Sequence, residues 1–393
     1  MLNTQFAPWP SFDAEEVSAV AEVMRSNKVN YWTGQEGRLF EKEFAEWCGA
    51  NHAIAVMNGT VALDLALKAL QVGPGDEVVV TSRTFLASVS SIINAGATPV
   101  FADVDFDTQN ITIETVTAVV SSRCKAILCV HLAGWPCDMD PINAFAKQHG
   151  LFVIEDCAQA HGALYKGTPV GTLGDVAAWS FCQDKIMTTG GEGGMVTTNS
   201  AQLWSKMWSY KDHGKSFDAV YNKDHPPGFR WLHESFGTNW RMLEIQAAIG
   251  RLQLRKMQTW SAQRRSNSEL IWSTARKYAG FRVPCVPEAI SHAAYKCYIF
   301  IRPDQLLPEW SRDRIIESLN AQGIPCYSGS CSEVYLEKAF DGTSFRPSKP
   351  LEVAKVLGET SLMFLVHPTL TTDQMMQTCS AIANTATSAF RKE

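Results

Sequence analysis

Short apolar runs alternate along this chain with stretches in which apolar residues recur every three or four positions. The first such stretch, residues 13–26, carries Val17, Val20, Val23 and Met24 behind an acidic first turn, which predicts an amphipathic surface helix with favourable dipole placement. A loop over 27–37 holds Tyr31, Trp32 and Gly34, and helical spacing resumes over 39–47. Residues 52–57 read as a strand, Asn58-Gly59-Thr60 as a turn, and 61–70 as a helix. The same alternation returns with strands at 77–81, 98–102, 125–131 and 151–155, and helices at 85–95 and 140–149. Apolar runs at 177–181 and 195–198 predict two more strands around a glycine-rich turn. Strand and helix in alternation predict an α/β fold on a mainly parallel sheet, whose ligands collect at the carboxyl ends of its strands.

The bulk numbers narrow the class. At 393 residues, 46% hydrophobic and 19% charged, the chain suits one large globular domain and a smaller lobe. A net charge of −5 with scattered Lys and Arg gives no electrostatic reason to expect nucleic acid. The N-terminal stretch lacks a basic start and apolar core, and no apolar run approaches the roughly 18 residues that span a bilayer, so a cytoplasmic protein is expected. Eleven cysteines without a CxxC pair indicate neither a disulfide framework nor a zinc site, and read as mostly buried thiols.

Chemistry centres on residues 177–196, where Lys185 stands between an apolar run and the turn Thr189-Gly190-Gly191-Glu192-Gly193-Gly194. Clustered glycines supply positive φ without steric cost. A lysine at a strand end among apolar residues loses hydration of its ammonium form and becomes a nucleophile, as a Schiff base requires. Alone, the stretch also fits a lysine on an ordinary hairpin. Gly59 and Thr60 open a helix and offer amides and a hydroxyl to a phosphate, although Thr60 also fits a plain N-cap. Asp156 ends a strand on the same rim, where it also fits a turn cap. Jointly they suggest a pyridoxal phosphate site, with a phosphate cradle, a partner for the pyridine nitrogen and an aldimine-forming amine.

The motifs also carry a resemblance that runs from about Phe12 to the end of the chain. Gly59-Thr60-Val61-Ala62-Leu63, Thr84-Phe85-Leu86-Ala87-Ser88, Glu155-Asp156-Cys157-Ala158-Gln159-Ala160, and Ser180-Phe181 with Lys185 appear in order. Gly237-Thr238-Asn239-Trp240-Arg241-Met242 then precedes Ala247-Ala248-Ile249-Gly250 and Gln253-Leu254. On these segments the chain resembles the DegT/DnrJ/StrS sugar aminotransferases, fold-type I pyridoxal phosphate enzymes. The resemblance implies a large domain over 1–255 with a mainly parallel seven-stranded sheet, and a smaller α+β domain over 256–393.

It also implies roles. Lys185 forms the internal aldimine and shuttles the proton, Asp156 keeps the pyridine nitrogen protonated, Phe85 stacks on the ring, and Gln159 bonds the ring hydroxyl oxygen. Gly59, Thr60, Val61 and Ser180 bind the phosphate, joined by Asn239 of a neighbouring subunit. The implied enzyme is a homodimer with shared active sites and no metal. It moves an amine from glutamate to a keto carbon of a nucleotide-linked 4-keto-6-deoxyhexose, for amino-sugar and surface-polysaccharide (O-antigen) synthesis. C4 is favoured and C3 is the main variant, with the sugar bound by loops such as 31–37, 210–215 and 328–335. A dehydratase branch of the family carries histidine where Lys185 stands, and a non-catalytic regulator predicts drift in Asp156, Lys185 and the phosphate residues, all of which are present.

Overall fold

A computed structural model describes residues 6–391; the rest of the N-terminal stretch weighed above, residues 1–5, lies outside them. Strands β1 (His52–Val56), β2 (Glu77–Thr81), β3 (Thr98–Ala102), β4 (Cys124–Val130) and β5 (Phe152–Asp156) follow the apolar runs within a residue or two. Strands β6 (Leu164–Tyr165) and β7 (Thr168–Pro169) form a small ribbon before β8 (Val176–Ser180) and β9 (Gly194–Thr198). The central sheet has the order β1-β9-β8-β5-β4-β2-β3, and β9 alone runs antiparallel to its neighbours. This is the mainly parallel seven-stranded sheet that was expected. β2 and β8 are buried at every position, as strands covered by helices on both faces must be.

The remaining strands belong to the C-terminal part. β10 (Phe281–Arg282), β12 (Cys297–Ile301), β13 (Cys326–Tyr327) and β14 (Ser361–Phe364) make an antiparallel sheet in the order β10-β12-β14-β13, and β11 (Ile290–Ser291) adds to the ribbon of β6. The helix Glu244–Ala275 links the two parts without a break. Its Ala247, Leu254 and Met257 pack with Phe40, Phe44 and Phe181, whereas Ile271, Trp272 and Ala275 pack with the small sheet. Gly250 is needed at that crossing, because a Cβ there would lie 2.6 Å from the ring of Phe40.

Three local expectations are corrected. The helix Ala87–Asn94 starts after Phe85, so Phe85 sits in the turn that follows β2 and its ring is 71% exposed. In the N-terminal helix Ala14–Ser26, Val23 faces the core while Val17 and Met24 lie outside, and the buried Glu16 is held by Lys256 at 3.1 Å. Only Gly190 and Gly191 of the glycine-rich turn use positive φ. Gly193 and Gly194 serve close packing, since a Cβ on Gly194 would run into the carbonyl of Asn58. The cysteines are free thiols and mostly buried, with Cys285 and Cys331 exposed. Among the described residues no helix is long and apolar enough to cross a membrane.

Candidate active site

The ends of β1, β5 and β8 and the turn after β2 open on one cavity of about 420 Å³. At the end of β1 the side chain of Asn58 accepts the Val61 N–H at 3.0 Å and caps the helix Gly59–Ala69. The cap is therefore Asn58 and not Thr60. The first N–H groups of a helix lack intrahelical partners. With Val61 engaged by Asn58, the amides of Gly59 and Thr60 remain to meet an anion at the positive helix end. Gly59 has a steric reason as well: a Cβ there would lie 2.6 Å from Cβ and 3.1 Å from Cα of Ser180, so only glycine lets the turn rest against β8.

Beyond β8 the chain turns back, and the Lys185 side chain is 16% exposed in the cavity wall. Its Nζ lies 3.7 Å from Asp184 Oδ1 and 5.2 Å from the ring centre of Tyr295, and its carbonyl accepts the Trp9 indole N–H at 2.8 Å. The apolar wrapping expected from the sequence is thus a polar setting supplied by Asp184 and by Tyr295 of the C-terminal part. Burial pushes the Asp184 carboxyl up, but the Lys185 charge and the hydrogen bond from the Tyr295 hydroxyl outweigh it and hold it below the ordinary value.

Asp156 is the last residue of β5 and is 6% exposed. Its Oδ2 accepts the Ser88 hydroxyl at 2.8 Å and its Oδ1 the Ala158 N–H at 3.1 Å. Burial pushes its carboxyl above the ordinary carboxylate range, against those two donors and the Lys185 charge. A buried carboxylate in that state favours a cationic partner, which offsets its lost hydration. Gln159 Oε1 accepts the Ala133 N–H at 2.8 Å, which leaves the amide nitrogen as its free donor. The exposed ring of Phe85 forms part of the same wall.

The cavity therefore brings together Gly59, Thr60, Phe85 and Asp156 with Gln159, Ser180 and Lys185. Two expected members stand apart. Val61 does not line the cavity and its amide is taken; Asn239 is exposed beside Arg241 and lines no part of it. Of the loops expected to hold sugar, Gly329, Ser330 and Cys331 line an adjoining cavity of about 600 Å³ that shares Phe85, Asp184 and Lys185 with the first.

Sequence reasoning assigned no role to Ser88, Asp184 or Glu155, although all three lie inside or beside the motifs. Glu155 points away from Asp156, as adjacent strand residues must, and is wholly buried. Its oxygens accept the N–H groups of Gly171, Leu173 and Gly174 at 2.7–2.8 Å and His131 Nε2 at 3.0 Å. His131, Glu155 and Cys157 place ligand atoms within 4.8 Å of one another, yet these donors already engage both carboxylate oxygens. The cluster is a strut that ties the end of β5 to the loop before β8. Tyr295 carries no local sequence signal, because folding brings it to Lys185 from the C-terminal part.

The fold is that of the fold-type I pyridoxal phosphate-dependent transferases. The chain belongs to the DegT/DnrJ/EryC1/StrS aminotransferase family, whose family model matches residues 10–383. It is similar to the GDP-perosamine synthase of Caulobacter vibrioides, with 41% identity over 320 residues, 80% of this chain and 81% of that one. It is 32% identical over 376 residues to the dTDP-3-amino-3,4,6-trideoxy-alpha-D-glucose transaminase of Streptomyces venezuelae, covering 96% of this chain and 93% of that one. The solved structure of an aminotransferase from Psychrobacter cryohalolentis superimposes with a TM-score of 0.95 and 62% identity, covering 96% of this chain and 98% of that one.

Proposed function

We propose that the chain is a pyridoxal phosphate-dependent transaminase that moves an amine from glutamate to C4 of a nucleotide-linked 4-keto-6-deoxyhexose. The observation that carries this reading is the meeting of Lys185, Asp156, Phe85 and the Gly59–Thr60 turn in one cavity. The fit is chemical. The free amides and the Ser180 hydroxyl suit a phosphate, Asp156 suits a protonated ring nitrogen, Gln159 Nε2 suits the ring hydroxyl oxygen, and Phe85 covers a ring face.

When bound, pyridoxal phosphate supplies an aldehyde that carries the amine in transit and an electron-withdrawing ring. The chain supplies the rest. Lys185 Nζ is the amine that would hold the group and, when free, would act as general base for the proton at the reacting carbon. Asp184 and Tyr295 hold that side chain in place, and Asp156 would keep a ring nitrogen protonated.

Greater identity to the perosamine synthase than to the relative named for a 3-amino sugar supports C4. A homodimer with Asn239 serving the partner's phosphate is supported by the exposure of Asn239, its absence from the lining of its own chain's cavity, and the exposed Phe229, Trp231 and Phe236 earlier in the same stretch. A division of the chain into domains 1–255 and 256–393 also belongs to this proposal; it falls inside the helix Glu244–Ala275, which packs on both parts. The test is a panel of dTDP-, UDP- and GDP-linked 4-keto and 3-keto sugars with glutamate, read by mass spectrometry and proton NMR. A 4-amino sugar nucleotide is expected. A 3-amino product would move the reading to C3, and no amine transfer from a cofactor-loaded protein would refute it.

A further inference from the structure

The adjoining cavity of about 600 Å³ holds a second lysine that the reaction does not use. Lys296 precedes β12 and lines this cavity together with Lys185, Asp184 and Tyr295. Its Nζ lies 4.8 Å from the ring centre of Tyr295, and among the described residues no carboxylate oxygen comes within 4.0 Å of it. Asp184 is already engaged by Lys185 and Tyr295, and Glu337, which also lines the cavity, makes no ion pair with Lys296.

Behind Lys296 stands another cation without a counter-ion. Arg264 is 1% exposed on the long helix, donates only through Nη1 to the Tyr295 carbonyl at 3.4 Å, and leaves Nε and Nη2 without partners. Burial, together with the charges of Arg264 and Lys185 and against that of Asp184, pushes the Lys296 amine down to about 8. Cations without counter-ions are costly when buried, as Arg264 is, or half-buried, as Lys296 is, and they are relieved when an anion arrives. The phosphate cradle is a different place: Asn58, Gly59 and Thr60 line the first cavity and not this one.

We propose that Lys296, with Arg264 behind it, is the anion anchor of the cavity in front of Lys185, and that it receives a carboxylate or a diphosphate of a substrate. This rests on the transaminase reading, in which both substrates are anionic: the amino donor brings carboxylates and the sugar nucleotide a diphosphate. A group held there shares the wall of Lys185 but not that of the cradle, which suits a ligand that enters beside an already seated cofactor.

The test uses the cofactor-loaded protein and titration calorimetry with 2-oxoglutarate as the dicarboxylate probe and dTDP, UDP and GDP as diphosphate probes. Lys296→Met keeps an unbranched side chain one atom shorter and removes the charge, and Lys296→Arg restores a cation. Weakening of one probe class by about 10- to 100-fold in Lys296→Met, with the other class within about twofold and recovery in Lys296→Arg, is expected from the loss of a charge-assisted bond. Loss for 2-oxoglutarate assigns the carboxylate as the occupant; loss for the nucleotides assigns the diphosphate. No change for either class overturns the anchor, and so does equal loss for both without recovery in Lys296→Arg, which marks a collapsed wall. The two readings fail separately. Wild-type transamination with unchanged binding in Lys296→Met sinks only the anchor, whereas Lys296-dependent binding without transamination of any keto sugar sinks only the function.

Discussion

Glu155→Gln is an isosteric change whose cost follows from four hydrogen bonds. Oε2 accepts Gly171 N–H and His131 Nε2, and Oε1 accepts Leu173 N–H and Gly174 N–H. A carboxamide keeps one oxygen and turns the other into a donor, so in either orientation two donors lose their acceptor. Relief by a change of tautomer at His131 is blocked, because its Nδ1 already accepts the Cys137 N–H at 3.0 Å. Two orphaned buried donors cost about 1–3 kcal/mol each. Removing a buried charge that has no cationic partner returns part of this, leaving a net loss of about 2–4 kcal/mol. Set against roughly 5–15 kcal/mol for a whole protein, that loss is large. An unfolding entropy of about 2.1 cal/mol/K per residue converts it to a fall in Tm of ~2–5 °C. Thermal and urea unfolding of both proteins, saturated with and stripped of cofactor, read it directly. Turnover at 25 °C should stay within about tenfold, because Glu155 touches no reacting atom. A Tm within about 1 °C of wild type would show that the three backbone donors find other acceptors and would refute the strut.

Gly59→Ala places a Cβ 2.6 Å from Ser180 Cβ, so overpacking of about 1–3 kcal/mol falls on the cradle; cofactor affinity, followed by fluorescence titration, drops about 10-fold or more with the circular dichroism spectrum unchanged. His161, His292 and His367 are held down to about 3 by burial against 6.5 in the unfolded chain, the Arg264 charge adding at His161 and His367. The unfolded state thus binds more protons between those values, and stability is lost as pH falls below about 6.5, by up to ~4 kcal/mol per pH unit. Urea unfolding at pH 7, 6 and 5 checks this, and a flat profile contradicts it. Lys185→Ala and Asn239→Asp, each inactive alone, should regain activity when unfolded and refolded together, because a mixed dimer holds one site with both residues intact. No recovery in mixed dimers confirmed by mass spectrometry would mean that Asn239 does not serve the partner's site.

The sheet was legible because each of its strands is a short apolar run ended by a turn residue, and Lys185 and Asp156 were legible because strand ends define the ligand rim. Finer points depended on contacts that sequence separation hides. Val61 looked like a phosphate donor until the side chain of Asn58 was found on its amide, and Phe85 looked like the start of a helix although its ring stands in the cavity. Glu155 could not be told from a neighbour of Asp156 until the loop over residues 171–174 closed on it. Tyr295 and Lys296 reach the site through tertiary packing, with Arg264 bonded to the Tyr295 carbonyl, and no local pattern marks them.

The most direct test of the account is chemical attachment. Cofactor-loaded protein is reduced with borohydride, digested and mapped by mass spectrometry, in parallel with Lys185→Ala. A pyridoxyl group is expected on the peptide containing Lys185, and in Lys185→Ala no label together with cofactor still retained through the Gly59–Thr60 turn and Asp156. Label on Lys296 or another lysine, or transamination surviving in Lys185→Ala, would contradict it.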